Sequence, residues 1–158
     1  MEQGKYKIDG THWVTRGWPF FHPNDFYGFI YRVTFLLTGE QYIGKKSFWK
    51  MNKSGTKRLG PSKWECYTSS SEHLNALIDE YGKECFEFEI LLLCRTKAVC
   101  SYGEQNFLHK LDALTRVDST WGLPVYLNKH IDAVRWITKD YPIDAVNSIV
   151  EVLKNETL

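Results

Sequence analysis

The feature that most constrains the fold is an alternating run of apolar and polar residues, followed by a short turn and a second run. Residues 26–37 read FYGFIYRVTFLL, and their β-branched and aromatic residues are typical of a strand. The triplet 38-TGE-40, with glycine at its centre, predicts a tight hairpin onto 41-QYIGK-45. The two strands are therefore expected to be antiparallel, with Tyr31 and Tyr42 on neighbouring strands of one small sheet.

Beyond the hairpin, the sequence predicts helices and strands in alternation. The motif 69-SSSE-72 is typical of a capping box, in which Ser69 and Glu72 satisfy each other's free backbone donors. The helix that follows is expected to end at Gly82. The remaining predicted elements are, in chain order, an irregular arm over 1–25, a loop or broken helix over 46–68, a strand over 85–94, a helix from Thr96 to about Leu114, an extended segment over 125–129, and helices over 132–141 and 142–153.

These elements predict an α/β protein of the α+β kind. We expect a small central sheet of three strands, antiparallel or mixed, flanked by helices and followed by extra C-terminal helices. With 158 residues, 43% of them hydrophobic, the chain is long enough for one domain with a real core. We divide it into an irregular arm (1–25), a central domain (26–130) and a helical extension packed on that domain (131–158).

The sequence gives no sign of a membrane protein. Its longest apolar runs are far too short to span a bilayer, and the N-terminus lacks the apolar core of a signal peptide. A cytoplasmic protein without a membrane partner is therefore expected. The four cysteines form no CxxC pair, so neither a zinc ribbon nor a redox motif is predicted.

Positive charge is concentrated in one part of the chain, although the net charge is only +1. Residues 1–66 hold eleven Lys and Arg against five Asp and Glu, whereas residues 67–158 hold nine against fourteen. Residues 41–64 contain seven basic residues and no acid. Such a block, interleaved with aromatic residues, is typical of a surface that contacts phosphate, although a solvated loop is the alternative. The lysines expected to bind nucleic acid are Lys45, Lys46, Lys50, Lys53, Lys57 and Lys63.

A carboxylate interrupts the apolar stripe of the helix predicted after Thr96. Glu104 precedes Phe107 and Leu108 by three and four residues, which places it on the same face. An inward carboxylate is costly unless it is paired or binds a metal ion. Glu104 is therefore a candidate metal ligand, and the alternative is a glutamate at the edge of the stripe that reaches water.

The two tyrosine-containing triplets resemble a known signature. The pair 29-FIY-31 and 42-YIG-44, on one hairpin, is similar to the motifs of the GIY-YIG endonuclease superfamily. The first triplet has Phe29 where the family has glycine, with Gly28 beside it. The resemblance covers roughly residues 26–130 and is most like the free-standing homing-type endonucleases carried by bacteriophages.

The resemblance implies roles for the matching residues. Tyr31 would assist, or act as, the general base toward the attacking water, and Tyr42 would position that water or the scissile phosphate. Glu104 would hold one divalent cation, Mg²⁺ or Mn²⁺. The pKa of an ordinary tyrosine is near 10, so Lys45, Lys46 and the metal ion are expected to lower it.

Four further catalytic candidates follow from the same resemblance. Arg58 would contact the scissile phosphate, since it is the arginine that follows the second triplet. Lys45 comes directly after that triplet. Asn128 matches an asparagine that closes the site in some members. The family's histidine position falls on Ser62, and Tyr67 is a candidate to replace it.

The implied function is that of a metal-dependent DNA endonuclease of the homing type, encoded by a phage and acting in the host-cell cytoplasm. Two alternatives stay open: a non-catalytic module that binds nucleic acid or protein on the same scaffold, and a restriction-type or repair-type nuclease. DNA is the expected partner. A homodimer on a two-fold symmetric site is also left open, with Trp136 and Ile149 as candidates for its surface.

Overall fold

The computed structural model describes residues 4–134 and 137–156 of the chain. In these residues the α+β class predicted from the sequence is confirmed. The strands are β1 (Lys5–Lys7), β2 (Trp13–Arg16), β3 (Gly28–Phe35), β4 (Gln41–Ser47), β5 (Trp49–Met51), β6 (Arg58–Pro61) and β7 (Phe86–Cys94). The helices are α1 (Glu72–Tyr81), α2 (Lys97–Lys110) and α3 (Ile143–Glu156). Each of these helices is too short or too polar to cross a membrane.

The main sheet is larger than predicted. Five strands are hydrogen-bonded in the order β1-β2-β7-β3-β4, with β2 parallel to β7 and the other pairs antiparallel. The predicted three strands, β3, β4 and β7, therefore form part of a mixed five-stranded sheet. The N-terminal arm, predicted to be irregular, supplies β1 and β2. It becomes a strand because Trp13 is fully buried and pairs with Phe88 on β7.

The β3–β4 hairpin forms as predicted and places both tyrosines on one face of the sheet. Tyr31 lies opposite Gly44, and Val33 lies opposite Tyr42. Because side chains alternate along a strand, Tyr31 and Tyr42 face the aromatic side, whereas Ile43 faces the side covered by α2 and α3. The sheet is thus buried on both faces, with an aromatic cluster and α1 on one side and two helices on the other.

The segment predicted as a loop or broken helix is more regular than expected. Within 46–68, β5 and β6 pair as an antiparallel two-stranded ribbon, and a short 3₁₀ turn follows at Trp64–Cys66. The cap of α1 also shifts by two residues. Ser71 Oγ accepts the hydrogen bond from the Leu74 N–H, whereas Ser69 Oγ accepts from the Ser71 N–H. Ser71, not Ser69, is therefore the N-cap.

The C-terminal region contains one helix where two were predicted. Residues 131–134 and 137–138 are not helical, and Arg135 and Trp136 lie outside the described residues. The Val134 N–H donates to Gln105 Oε1 on α2, which ties residues 131–134 to that helix, and Pro142 disfavours helical backbone at Tyr141. The second predicted helix is present as α3, and α2 ends four residues before the predicted Leu114.

A buried ion-pair network fixes α3 to the sheet. Arg32 on β3 lies 2.6 Å from Glu89 on β7 and 3.0 Å from Glu156 on α3. Arg16 on β2 pairs with the same two carboxylates, at 3.0 Å and 2.6 Å. The side chains of Arg32 and Glu89 are 5% and 1% exposed. Each charge in this network is therefore compensated by a partner from another element.

We expect Arg32→Met to destabilise the protein by about 3 kcal/mol, because Glu89 would keep only the more exposed Arg16 as its partner. Urea denaturation would measure this loss. The double variant Arg32→Met/Glu89→Leu should recover much of it, since no uncompensated carboxylate would remain buried. A single variant as stable as the wild type would contradict the assigned role of the network.

Candidate active site

The candidate site is a cavity of ≈ 530 Å³ along the edge strand β4. The start of α1, the middle of α2 and the extended segment after Val125 form its other walls. Five of the seven predicted catalytic residues line it, namely Tyr42, Lys45, Tyr67, Glu104 and Asn128. Residues from widely separated parts of the chain thus converge at one sheet edge, where a polar substrate can approach.

Tyr31 lies in the wall behind this cavity and is fully buried. Its ring centroid is 6.3 Å from that of Tyr42 and 6.2 Å from that of Tyr67. Gly44 allows this packing, since a Cβ added there would lie 2.5 Å from Tyr31 Cζ and closer still to the hydroxyl. The Tyr31 hydroxyl forms no hydrogen bond of normal geometry with a described residue, although Ser69 and the Tyr67 hydroxyl are close enough to act on it. The site therefore contains a buried phenol that is at most weakly hydrogen-bonded.

The electrostatic environment of Tyr31 differs from the expectation. Burial raises the pKa of its phenol well above the ordinary value, and the neighbouring phenols of Tyr67 and Tyr42 raise it further. The ammonium groups of the two lysines expected to lower this pKa contact other residues. Lys46 Nζ lies 4.4 Å from the centroid of the Tyr67 ring, and Lys45 Nζ donates to Ser101 Oγ at 3.2 Å. Tyr31 is therefore a neutral phenol in the protein alone.

Tyr42 and Tyr67 are more accessible than Tyr31 and form the aromatic rim of the cavity. The Tyr42 hydroxyl is 3.5 Å from Ser70 Oγ. Burial is the main cause that raises the pKa of Tyr67. With the Lys46 ammonium over the Tyr67 ring, the rim combines hydrogen-bonding hydroxyls with a positive charge, which suits a phosphate oxygen.

Glu104 lies on α2 and faces the cavity, as its position in the apolar stripe predicts. Burial raises the pKa of its carboxyl above the ordinary value of 4.5, whereas Lys45, through its ammonium and its backbone N–H, acts in the opposite direction. No salt bridge within 4.0 Å joins Glu104 to any described residue. A partly buried carboxylate without an ion-pair partner can accept a cation.

The donor set around Glu104 fits a hard divalent cation held mainly by water. No group of three His, Cys, Asp or Glu able to hold a metal ion occurs among residues 4–134 and 137–156. Mg²⁺ is commonly bound by one or two carboxylates, substrate phosphate and several waters. Glu104 supplies one such carboxylate, and the exposed Glu72 and Asp132 line the same cavity. The residues present thus fit Mg²⁺ or Mn²⁺ but not a fully protein-ligated metal.

Asn128 is tied to the edge of the sheet. Its side chain accepts a hydrogen bond from the Ile43 N–H at 3.0 Å and donates to the Ile43 carbonyl oxygen at 2.8 Å. The preceding residues pair with the same edge, since the Leu127 N–H donates to the Gln41 carbonyl oxygen and the Gln41 N–H to that of Val125. The side-chain amide of Asn128 therefore satisfies the backbone groups of Ile43 that a further strand would otherwise pair with, at the part of β4 that lines the cavity.

We expect Asn128→Ala to cost about 2 kcal/mol of stability, because two buried backbone groups of Ile43 would lose their partner. Asn128→Asp keeps the acceptor and loses the donor, so its cost should fall between those of alanine and the wild type. Thermal unfolding would compare the three proteins. Unchanged stability in Asn128→Ala would show that Asn128 does not hold this edge.

Arg58 and the exposed lysines of the basic block are not brought to the cavity. Arg58 donates to the carbonyl oxygens of Asn24 and Phe26, at 3.0 and 3.1 Å, and its guanidinium lies 4.4 Å from the Trp49 ring centroid. It holds the ribbon to the chain before β3 and does not line the cavity. The lysines of the block that are exposed on or beside the ribbon are Lys50, Lys53, Lys57 and Lys63.

Two serines near the site were missed in the sequence. Ser70 lines the cavity beside Tyr42, and Ser101 accepts the hydrogen bond from Lys45. Ser101 precedes Glu104 by three residues, so helical spacing could have placed both on one face of α2. The position corresponding to the family histidine, Ser62, is buried and donates to the Ser47 carbonyl oxygen. It therefore supports the ribbon.

The comparison with protein families agrees with the triplets and with this geometry. The model described as "Putative endonuclease segE, GIY-YIG domain" matches residues 13–131, from β2 to just beyond Asn128. The fold and the match together define an endonuclease of the GIY-YIG type. Within that class, the chain belongs to the segE GIY-YIG family. Searches of curated proteins and of solved structures found no significant match.

Proposed function

We propose that this endonuclease hydrolyses DNA phosphodiesters with the help of one divalent cation, at the cavity beside β4. The observation that carries the proposal is the convergence of Tyr42, Lys45, Tyr67 and Glu104 on one cavity, with the buried Tyr31 hydroxyl behind it. Phosphodiester hydrolysis needs an oriented water, positive charge at the phosphate and help for the leaving oxygen. The family supports the endonuclease over a non-catalytic binding module.

Tyr31 and Tyr42 orient the attacking water. With its raised pKa, neutral Tyr31 is available as a donor and an acceptor, and the nearby Tyr42 hydroxyl is on the accessible side. A water hydrogen-bonded to both would satisfy the buried Tyr31 hydroxyl. Tyr31 acts as a base only when the bound substrate and cation lower its pKa, so proton transfer is coupled to assembly of the complex.

Lys46, which lies beside the aromatic rim of the cavity, positions the phosphate. Lys46 lies over the Tyr67 ring, and burial lowers the pKa of its ammonium. Its position suits contact with a non-bridging oxygen, the role that the resemblance implies for Arg58. Lys45, on the other side of β4, balances the charge of Glu104. Lys46 is therefore our proposed phosphate ligand, and Arg58 the anchor of the ribbon.

A divalent cation bound at Glu104 would supply Lewis-acid stabilisation of the leaving oxygen. The Glu104 carboxylate that would bind this cation is partly buried. The hydrogen bond from Lys45 to Ser101 fixes the position of the neighbouring ammonium group. A cavity of this size has room for the phosphate oxygen and the several waters that would complete the octahedral shell of such a cation.

Conversion of supercoiled plasmid to nicked or linear DNA tests the proposal. The purified protein should cleave with Mg²⁺ or Mn²⁺ and should not cleave with excess EDTA. A large pool of random-sequence duplexes should be used beside the plasmid, so that a rare target site is not missed. Cleavage that is equally fast in EDTA would exclude the cation, and the absence of cleavage in every arm would exclude the proposed reaction.

Metal binding and stability should respond to pH in opposite directions. Glu104 has a raised pKa in the folded protein, so the folded state binds this proton more tightly than the unfolded state. Without metal, its contribution to stability is therefore present below the ordinary pKa of 4.5 and is lost as the pH rises through the folded-state pKa. Cation binding needs the ionised form and should strengthen over the same interval.

The difference in melting temperature between wild type and Glu104→Gln, measured across this interval, would show the effect. Without metal, the wild type should lose stability relative to the variant as the pH rises. Added Mg²⁺ should remove that loss in the wild type only. A difference that is independent of pH and of Mg²⁺ would separate Glu104 from cation binding.

The biological setting is a further part of the proposal. A phage-encoded homing-type enzyme of the host-cell cytoplasm would cut one long and rare site, whereas a restriction-type or repair-type enzyme would recognise a short site or a lesion. Mapping the cut positions in a random library separates these classes. Light scattering with and without the mapped duplex would show whether a homodimer forms on a two-fold symmetric target.

A further inference from the structure

The β5–β6 ribbon is the most strongly cationic surface outside the cavity. It follows β4, which contains the cavity residues Tyr42 and Lys45, and it precedes the cavity residue Tyr67 by six residues, so the chain enters and leaves the ribbon through segments that contribute to the candidate site. Between them lies the ribbon tip, residues 52–57, which reads NKSGTK. The tip contains two exposed lysines and neither an acidic nor an apolar side chain. Such a surface suits a polyanion and not a protein core.

The tip is internally ordered. Asn52 Oδ1 accepts hydrogen bonds from the N–H groups of Thr56 and Lys57, at 2.9 and 3.1 Å. Ser54 Oγ and Thr56 Oγ1 are 2.8 Å apart, and the Asn52 N–H donates to the Lys57 carbonyl oxygen. The two lysines therefore project from a loop whose shape is fixed before any ligand binds, which lowers the entropic cost of binding.

The ribbon is anchored through both of its strands, by Trp49 at its base and by Arg58, which pairs with Met51 at the tip end of β6. Trp49 Nε1 donates to the Phe26 carbonyl oxygen at 2.9 Å, and Arg58 donates to the same oxygen at 3.1 Å. The Ser62 N–H donates to the Phe48 carbonyl oxygen at 2.8 Å. These contacts fix the direction in which the tip projects from the main sheet.

The position of the tip relative to the cavity follows from α2. A Cβ added to Gly55 would lie 3.3 Å from Lys97 Nζ, so the first residue of α2 lies against the tip. Glu104 follows Lys97 by seven residues on the same helix, an axial separation of about 10 Å. Because the tip meets only the end of the Lys97 side chain, the tip can lie farther from Glu104 than the backbone of Lys97 does, and the separation is on the scale of a few base pairs.

We propose that the ribbon tip enters the major groove of duplex DNA beside the cleavage cavity and contributes to the choice of sequence. The inference rests on the proposed function for its substrate. The major groove is about 12 Å wide and admits a two-stranded β-ribbon. Lys53 and Lys57 can donate to O6 and N7 of guanine, whereas a flat basic patch would reach only phosphates. The preferred bases should lie a few base pairs from the cut, on one side of it.

Selection of bound sequences from a random duplex library tests this role. Glu104→Gln serves as the parent protein, so that DNA is bound without being consumed, and the Lys53→Ala/Lys57→Ala change is made in it. We expect discrimination at the contacted base positions to fall about tenfold. The matched control is Lys83→Ala/Lys139→Ala, which removes two exposed lysines elsewhere and should leave the preference unchanged.

A uniform loss of affinity with an unchanged sequence preference would overturn the proposal. In that case the tip contacts only phosphates, and the slope of log K against log salt concentration should fall by about 0.9 for each lost contact. Unchanged affinity and preference would overturn it as well. Arg58→Ala gives an independent test, because releasing the ribbon from the carbonyl groups of Asn24 and Phe26 should flatten the sequence preference while both tip lysines remain.

Failure of this inference is distinguishable from failure of the proposed function. A wild type that cleaves with metal but whose preference ignores the tip would contradict the groove contact alone. A protein that binds selectively through the tip yet never cleaves would contradict the reaction alone. If the parent protein binds no DNA in the library, the groove contact is contradicted, and plasmid cleavage by the wild type still decides the reaction separately.

Discussion

Replacement of Glu104 by glutamine is expected to reduce DNA cleavage by a factor on the order of a thousand, with the fold intact. Glutamine matches the size of the side chain and removes the charge that would hold the cation. The wild-type carboxylate is desolvated, and its pKa is raised, so the neutral side chain should not destabilise the protein. Initial rates on plasmid DNA over a range of Mg²⁺ concentrations would measure the loss.

Glu72→Gln is the matched control for this experiment. Glu72 lines the same cavity, but it is exposed at the start of α1. Its substitution should change the rate by less than about tenfold, since an exposed carboxylate in water adds little to cation affinity. If Glu72→Gln is the more damaging change, the principal metal ligand would be on α1 and the assignment to α2 would be wrong.

Tyr31→Phe should separate catalysis from stability. The Tyr31 hydroxyl is buried and forms no hydrogen bond of normal geometry with a described residue, so its removal should change stability by no more than about 1 kcal/mol. The same change should slow cleavage at least about a hundredfold, because the water would lose an orienting group. Urea denaturation and single-turnover cleavage, made on one preparation, would give both numbers.

Tyr126→Phe provides the comparison. The Tyr126 hydroxyl is likewise buried and unpaired, but Tyr126 packs in the core between the sheet and α2 and does not line the cavity. Its removal should affect stability in the same way and leave cleavage within about threefold of the wild type. Equal losses of activity in both variants would mean that the Tyr31 hydroxyl has no particular role in the reaction.

The hairpin could be predicted because its information is local. A glycine-centred turn between two alternating segments fixes the register within twenty residues, and Tyr31 and Tyr42 come together as expected. The N-cap function of Thr96 is also local and is confirmed by the hydrogen bond from the Val99 N–H to Thr96 Oγ1. Short-range chemistry of this kind needs no knowledge of the rest of the fold.

The features that were missed depend on distant partners. Nothing within the four residues of β2 indicates that Trp13 will pair with Phe88 on β7. The strands of the ribbon are three and four residues long, which is too short for an alternating pattern to be recognised. Arg32 looks like an ordinary outward-facing residue until Glu89 is placed opposite it. Each of these elements is fixed by tertiary contacts rather than by propensity.

In the candidate site, too, some features could be predicted from the sequence and others depend on the packed structure. Resemblance supplied the residues that meet at the cavity, but it did not supply their environments. The depth of Tyr31 depends on Trp13 and Phe29, whose rings pack at its edge or beside it. Arg58 supports the ribbon because its guanidinium donates to two carbonyl groups before β3. Electrostatic roles require the packed structure, because desolvation is a property of the surroundings and not of the residue.

The parallel pairing of β2 with β7 also limits the order in which the strands can pair during translation. The hairpin carrying Tyr31 and Tyr42 can close soon after Ser47 has been made, but β2 must wait for its neighbour. At about 5 to 20 residues per second, the roughly 80 residues from Arg16 to Cys94 take about 4 to 16 s to translate. Through that interval β2 has only β1 as a neighbour, and Trp13 lacks the contact with Phe88 that helps to bury it. The ion pair of Arg16 with Glu156, 140 residues away, can form only after α3 has been made, so the hairpin can precede the network that fixes α3 to the sheet.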